Sequence, residues 1–542
     1  MSTQKAKRYI PADGWAGLKE NFSKDALAGF LVFLLAMPLS LGIAKASQFP
    51  MIFGLVTAIV GGVLVSFFMG SRLSIKGPAA GLIVIASGSV TALGDGETGW
   101  HLALGCVVIA GLLQVLFGVF KLGKLADFFP GAAIHGMLAA IGIIIMAKQL
   151  HLILGINPAE LKGKNPIELI GMLPSSIMHE NAHLAEIGIA CLLIMVLMNY
   201  VKNEKVRKIP APLIVLAVSI PLGFALHIKT DGAIAGYALV KTGSLADAFS
   251  NGISNVDFSG ITSHTWVFIQ YVILYALIGS LESLLTAKAV DGMDPFKRKT
   301  DYDKDLIGVG IGNTICGILG GLPMISEVAR SSANVGYGAR TRWANFFHGL
   351  FLLLAVLIAV PYIEMIPNVA LAAMLVFVGF RLAHPRQFRH TLHIGKEQLF
   401  VFCATILVTI STDLLMGVGT GILLEIIINL VNGAPLKDLF KTDILVGDHG
   451  DHYVMTVNSS LLFSNLLGFK KKFQQIPAGK NVVIDMSNAR VVDHTCIVTI
   501  NGLVEEYKEG HGHVKIVGFE NHRQVSKDPT STRIHKQTMI TQ

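Results

Sequence analysis

Two short stretches carry ionisable side chains in apolar surroundings. The first, Ile278-Gly279-Ser280-Leu281-Glu282-Ser283-Leu284-Leu285-Thr286-Ala287-Lys288, puts Glu282 near the end of an apolar run that begins around Trp266. The second, Gly320-Gly321-Leu322-Pro323-Met324-Ile325-Ser326-Glu327-Val328-Ala329-Arg330-Ser331-Ser332, is a broken, small-residue segment with an acid and an arginine between two apolar runs. A charge at bilayer depth costs about 2.5–3.5 kcal/mol on insertion scales, so such residues mark solute paths and ion relays. An arginine can compensate a small anion, and a carboxylate can take up a cation or a proton. The pair points to the centre of a path for a small charged solute.

The elements that hold these residues must be membrane spans. The chain is 52% hydrophobic and only 15% charged, with a mean hydropathy of +0.60, whereas a soluble domain is about 25% charged. Its 56 glycines suit close helix packing in lipid. Fourteen candidate spans lie near residues 26–44, 49–69, 78–93, 101–121, 131–154, 184–201, 210–227, 266–288, 305–320, 326–336, 346–363, 369–382, 398–414 and 416–432. The third, tenth and twelfth are shorter than the ~20 residues a full span needs. Lys5, Lys7, Arg8, Lys19 and Lys24 precede the first span without a cleavage-site pattern, so no removable signal is expected.

Charge tests the count. With a cytoplasmic N-terminus, the inner loops hold Arg72, Lys76, Lys121, Lys124, Lys202, Lys205, Arg207, Lys208, Lys288, Lys297, Arg298, Lys299, Lys304, Arg340, Arg342, Arg381, Arg386, Arg389 and Lys396. The outer loops hold Lys162, Lys164, Lys229 and Lys241. This asymmetry is the positive-inside signature. The formal charge of +8 is thus an orientation signal, and nucleic acid is not an expected partner.

Fourteen spans divide into seven plus seven, and an odd-numbered unit repeated must be inverted. The third and tenth spans then correspond, and each opens on a Gly/Pro break: Gly77-Pro78-Ala79-Ala80-Gly81 and Gly320-Gly321-Leu322-Pro323. Paired interruptions of this kind point to a transporter site. A half-helix that begins inside the membrane aims free N–H groups and a positive dipole end at the midplane. Two such ends facing each other suit an anion.

From about Pro435 the pattern becomes soluble. Tyr453, Met455 and Val457 alternate as a strand face does. Val482–Asp485 and Val514–Gly518 read as further strands, with helices from about Asn465 to Phe473 and from Asp493 to Tyr507. Alternating β and α elements imply a small α/β domain. The tail after Gln524 is polar and expected to be loose. Cys106, Cys191, Cys316, Cys403 and Cys496 show no metal spacing and read as packing residues. His135, His348, His384, His390 and His393 are scattered and read as packing or interface residues, with no metal site.

With these residues in view, the chain resembles the SulP family of bacterial sulfate permeases, related to the solute-carrier-26 anion exchangers. The resemblance rests on Ala36-Met37-Pro38-Leu39-Ser40-Leu41-Gly42, Gly77-Pro78-Ala79-Ala80-Gly81, Gly279 to Thr286 and Gly320-Gly321-Leu322-Pro323. The C-terminal part resembles a STAS domain through Val482 to Ser487 and Val492-Asp493-His494-Thr495-Cys496. The implied fold is an α-helical polytopic membrane protein, fourteen spans in a 7+7 inverted repeat with core and gate domains, plus a C-terminal α/β STAS-like domain. The expected division is 1–25, an N-terminal cytoplasmic segment; 26–434, the transport domain; 435–525, the STAS-like domain; and 526–542, a polar tail.

The resemblance implies roles for residues. Ala79, Ala80, Gly81, Ser326, Glu327, Val328 and Arg330 fall on the substrate site, with Arg330 as the supporting positive charge. Glu282 falls on the coupling position and Thr286 on one that helps hold sodium in a bicarbonate-transporting branch. Val328 stands where that branch has a coordinating threonine, so sodium near Glu282, Thr286, Ser326 and Glu327 and a coupled proton both stay open. Structural readings compete: an ion pair of Glu282 with Arg330 or Lys288, and of Arg330 with Glu327. Lys76 departs from the small polar residue of many relatives. Thr495 matches a position phosphorylated in anti-sigma antagonists of the STAS class.

The implied activity is elevator-type secondary active transport of bicarbonate or sulfate, as symport or antiport, with no cofactor beyond a coupling ion and no enzymatic chemistry. A dicarboxylate or chloride exchanger and a nucleobase permease of the same fold are the alternatives. The resemblance also implies an inner-membrane protein with both termini cytoplasmic, in the lipid bilayer, and a homodimer.

Overall fold

The computed structural model describes residues 10–123, 129–203, 206, 209–232, 234–243, 255–477, 479–509 and 512–536. Lys5, Lys7 and Arg8 of the N-terminal segment, the inner-loop residues Lys124, Lys205, Arg207 and Lys208, and positions 537–542 of the tail lie outside the described residues. Internal contacts divide the chain into two units, Met1–Gly123 with Ile141–Arg381, and Lys124–Ala140 with Leu382–Gln542.

Each of the fourteen expected spans falls on a helix. In order the helices are α1 (Gly14–Ala46), α2 (Met51–Ile59), α3 (Ile83–Leu93), α4 (Gly96–Val119), α5 (Gly131–Ile153), α6 (Pro166–Met178), α7 (Ala182–Tyr200), α8 (Ala211–Ala225), α9 (Thr265–Met293), α10 (Tyr302–Ile318), α11 (Val328–Gly336), α12 (Trp343–Ile358), α13 (Asn368–Leu382), α14 (Pro385–Ile394), α15 (Lys396–Ser411) and α16 (Leu414–Val431). Among the described residues, α6, α14 and a four-residue helix at Gly260–Ser263 lie outside the expected spans. Among the described residues, seven helices are long and apolar enough to cross a bilayer.

Short side chains let the helices of the first unit approach closely. Gly111 of α4 faces Gly310 of α10 backbone to backbone, as small residues do in lipid-embedded interfaces. Along α1 and α12, aromatic edges interlock, Phe22 with Phe347 and Phe30 with Phe351. The N-terminus of α1 is capped by Asp13, whose carboxylate also pairs with Arg342 at 2.6 Å.

Two strands interrupt the helices. β1 (Lys76–Pro78) precedes α3 and β2 (Met324–Ser326) precedes α11, and they pair antiparallel with Lys76 opposite Ser326 and Pro78 opposite Met324. Pro78 lacks an N–H and disfavours helix in the residue before it, and Pro323 does the same ahead of β2. The prolines thus delay both helix starts, and the freed backbone pairs across the break.

In the second unit the C-terminal domain forms a four-stranded sheet in the order β3 (Ile444–Asp448), β4 (His452–Val457), β5 (Asn481–Asp485), β7 (His513–Val517). The β3–β4 pair is antiparallel, and β4–β5 and β5–β7 are parallel. Met455 and Val457 are buried with Ile484, Phe469 and Phe473 of α17 (Leu466–Phe473), and Cys496 and Ile500 of α18 (His494–Glu509). Leu462 and Val491 pack with Ile426 and Leu430 of α16.

The tail departs from expectation. β9 (Arg533–His535) pairs with β6 (Val491–Val492) and β8 (His522–Gln524). The Ser526 hydroxyl donates to the carbonyl of Ile394 at 2.7 Å, and Asp528 accepts from the N–H and hydroxyl of Thr530. Polar composition read as looseness because these side chains satisfy backbone groups locally, without an apolar pattern.

Candidate functional site

The β1–β2 pair is pinned by side chains from neighbouring helices. Asn313 of α10 donates to the carbonyl of Met324 at 3.1 Å and accepts from its N–H at 2.6 Å. Asn345 of α12 accepts from the Lys76 N–H at 3.1 Å. Ser331 and Asn334 of α11 bind the backbone of Ile75 and Leu73. Thr57 of α2 accepts from the N–H of Leu322 at 2.8 Å. Every one of these polar groups is buried, and each is committed to holding the break open.

Around the break lie the residues expected from the sequence. Ala79, Ala80 and Gly81 are buried at the start of the turn that leads into α3. Glu282 of α9 is 8% exposed, and its Oε1 has no hydrogen-bond partner. Its carboxylate lies against Gly81, where even a Cβ atom would collide with both oxygens. Gly81 is therefore required by close approach. One turn further along α9, Thr286 is buried.

At the second break, Glu327 caps α11: its carboxylate accepts from the Arg330 N–H at 2.7 Å. Each half-helix start thus has an acid beside it, Glu282 at α3 and Glu327 at α11, and the two interact electrostatically. Val328 points outward, 47% exposed. Arg330 is 0% exposed, and Nε, Nη1 and Nη2 all lack hydrogen-bond partners. Its guanidinium reaches Gly77 of β1, where a Cβ would lie 2.7 Å from Nη1. No hydrogen bond joins the guanidinium to Glu282 or Glu327, although the charge of Glu327 acts on Arg330.

Lys76 corrects its assignment to an inner loop. The side chain is fully buried and pairs with Asp305 of α10 at 2.6 Å, while its Nζ also lies 2.5 Å from Ser326 Oγ. Ser283 of α9 completes the cluster, donating to Ser326 Oγ and accepting from the Ser326 N–H, both at 3.1 Å. The hydroxyl of Ser326 is therefore engaged with Lys76. A buried lysine is tolerable only with such a partner, since an unpaired one costs several kcal/mol.

The sequence did not single out Asp305, Ser283, Asn345 or His348. Asn345 and His348 left one signal, two polar residues three apart within an apolar helix, hence on one face. Asp305 also left one, an acid at the head of an apolar run.

The C-terminal positions behave differently. Asp493 caps α18, accepting from Phe463 N at 2.5 Å and Cys496 N at 2.8 Å. Burial pushes its carboxyl up to about 6 despite these bonds. Thr495 is half-buried, and its hydroxyl accepts from the Gly131 N–H at 3.3 Å. Among the described residues no His, Cys, Asp and Glu cluster could hold a metal ion.

The model of the sulfate permease family matches residues 22–405, and that of the STAS domain matches residues 444–522. YvdB of Bacillus subtilis is 26% identical over 514 residues, covering 93% of this chain and 92% of its own length. The transmembrane domain of a cyanobacterial bicarbonate transporter, BicA, superposes with a TM-score of 0.63 at 23% identity, over 74% of this chain and 98% of that one. The murine anion transporter Slc26a9 superposes with a TM-score of 0.65 at 15% identity, over 95% of this chain and 90% of that one. These structural likenesses concern the fold.

Proposed function

The chain belongs to the sulfate permease family, and on that premise we propose that it carries a small inorganic anion, bicarbonate or sulfate, by secondary active transport. It is a multi-pass membrane protein and a transporter, not an enzyme. In our reading the anion sits between the half-helices α3 and α11, movement is elevator-type, and sodium or a proton is the coupling ion. The protein is assigned to the cytoplasmic membrane with both termini inside, and to a homodimer.

The observation that carries the reading is the guanidinium of Arg330: fully buried, with three nitrogens unpartnered, beside a β pair that aligns two helix starts. A buried cation whose guanidinium has no hydrogen-bond partner is unfavourable and calls for an anion. Two helix N-termini supply N–H donors and dipole ends of the matching sign.

Coupling follows from the two acids. Glu282 and Glu327 stand where a negative solute would approach the helix starts. Like charges in a low-dielectric site repel strongly. A proton on Glu282, or a sodium ion beside it, removes that repulsion, so cation and anion bind together and travel together. The unpartnered Oε1 of Glu282 is the atom available for either. The N-terminus of α11 is already capped by Glu327, so this carboxylate must yield an N–H before an anion can take it.

Uptake into proteoliposomes tests the reading. Labelled sulfate and bicarbonate are each offered with an imposed sodium gradient, a proton gradient or none. Accumulation of one anion driven by one gradient is expected. Accumulation of neither anion under any gradient would remove the assignment.

A further inference from the structure

We infer that a cavity at the membrane boundary of the first unit is a headgroup site for an anionic phospholipid, with Lys304 as the free cation that takes the lipid phosphate. The site is separate from Arg330 and does not depend on which anion is carried.

Its place follows from the elements that meet there. The cavity measures about 350 Å³, within the roughly 300–1,000 Å³ of small-molecule sites. Ser66 and Phe67 come from the end of the second expected span, Lys304 from just before the ninth, and Trp343 from just before the eleventh. Three spans thus put the cavity where hydrocarbon gives way to water, on the side of the basic loops. The start of α1 closes it. The Trp15 ring lies 5.2 Å from that of Trp343, and the Trp343 indole N–H donates to the carbonyl of Gly14 at 2.8 Å.

The walls are part apolar and part cationic. Trp15 is 71% exposed and Phe67 49% exposed, and Phe67 meets Trp343 edge-on at 5.8 Å. Such rings at the boundary present an apolar body to acyl chains, and tryptophan adds an N–H for the headgroup. The charged walls are Asp13, Lys304 and Arg342, two cations to one carboxylate. Arg342 is fixed: its Nε and Nη2 hold both Asp13 oxygens at 2.9 and 2.6 Å, and its Nη1 donates to the carbonyl of Met69 at 3.2 Å. Arg72 approaches the same carboxylate at 3.4 Å. Asp301 and Asp303 flank Lys304 but accept from the Lys304 and Gly123 N–H groups, and neither lines the cavity. Among the described residues the exposed Lys304 ammonium has no carboxylate partner. A lysine stem of this kind reaches along apolar surface to headgroup level.

The chemistry of the walls selects the ligand. A surplus of one positive charge suits a phosphodiester with one negative charge and no amine of its own. A zwitterionic headgroup would bring a cation against Lys304 and Arg342. A soluble phosphate would leave Trp15 and Phe67 uncovered, whereas the chains of a lipid take both out of water.

Fluorescence quenching of the full chain in nanodiscs tests this. Phosphatidylglycerol and phosphatidylcholine, each with a spin-label quencher near the headgroup, are titrated into unlabelled phosphatidylcholine. Wild-type protein is expected to be quenched at a lower fraction of the phosphatidylglycerol probe, and Trp15→Phe should lose most of that difference. Lys304→Gln should raise the fraction needed about fivefold, and Lys304→Arg should keep the wild-type value. Equal quenching by the two lipids in wild type, stronger quenching by phosphatidylcholine, or a preference that survives Trp15→Phe intact overturns the site. An unchanged titration in Lys304→Gln, or a Lys304→Arg protein that behaves like Lys304→Gln, overturns the role of Lys304. Loss of the preference on adding inorganic phosphate would assign the cavity to a soluble anion and overturn the lipid. Anion uptake is read in a separate assay, so this site and the transport reading fail independently.

Discussion

Arg330 and Asp493 are both charged side chains shut away from water, and their surroundings differ in kind. Asp493, in the C-terminal domain, has both oxygens bonded to backbone N–H groups at the head of a helix. Arg330, between the half-helices, has no hydrogen-bonded nitrogen in its guanidinium. A satisfied buried charge holds a fold together; an unsatisfied one is kept for something that arrives. Lys76 is a third case, satisfied by another side chain, Asp305, distant in sequence. In our proposal the comparison divides the site into groups that build it and groups that wait in it.

The sharpest way to break this division is to neutralise a waiting group. Glu282→Gln keeps the shape and removes the charge. Gradient-driven uptake should fall at least about 100-fold, with membrane insertion unchanged. Uptake that keeps its sodium and pH dependence in this variant would remove Glu282 from coupling.

A building group should fail differently. Asp305→Asn leaves Lys76 buried without a counter-charge, a loss of about 3–5 kcal/mol that thermal unfolding in detergent should detect. Replacing both, as Lys76→Met with Asp305→Leu, should restore much of that stability. If Asp305→Asn leaves the melting temperature unchanged, the pair is not structural.

Crowding gives a smaller effect. Gly81→Ala drives a methyl group into the Glu282 carboxylate. Transport should drop by roughly tenfold, on the scale of about 1–3 kcal/mol typical of overpacking, while the helices remain. Normal uptake kinetics would mean the approach is looser than described.

The smallest effect belongs to Asp493. Its folded-state value of about 6 lies above the unfolded value, which is about 3.9. Over the window from about 6 down to about 4 the folded form binds more protons, so stability rises as pH falls through it. Hydrogen exchange at α18 in the full chain should show about 1–3 kcal/mol of added protection at pH 4.5 relative to pH 7. Asp493→Asn, which can still cap the helix, should abolish that change. An identical pH response in the variant would assign it to other groups.

Much of the architecture was legible because membrane helices announce themselves by length and polarity. Even α3 and α11 were marked, by Pro78 and Pro323. What the sequence concealed was long-range pairing. Lys76 looked like one of the inner-loop basic residues, because its partner Asp305 is 229 positions away. Ser326 looked like an open ligand, although its hydroxyl is engaged by Lys76. His348 looked like packing, and its one signal, Asn345 three residues earlier on the same helix, does not show that both ring nitrogens are left without partners. The ordered tail was hidden for a different reason: Ser526 and Asp528 act through backbone groups, which leave no periodicity.

The account depends most on Arg330 as the residue that receives the anion. Its direct test is calorimetric binding of sulfate and bicarbonate to purified wild-type protein and Arg330→Ala, with thermal unfolding of both as the control. Affinity for the transported anion should fall at least about 100-fold, equivalent to about 2.7 kcal/mol, while unfolding stays cooperative and the variant melts no lower than wild type. Equal binding by a folded Arg330→Ala protein would show that the anion is held elsewhere.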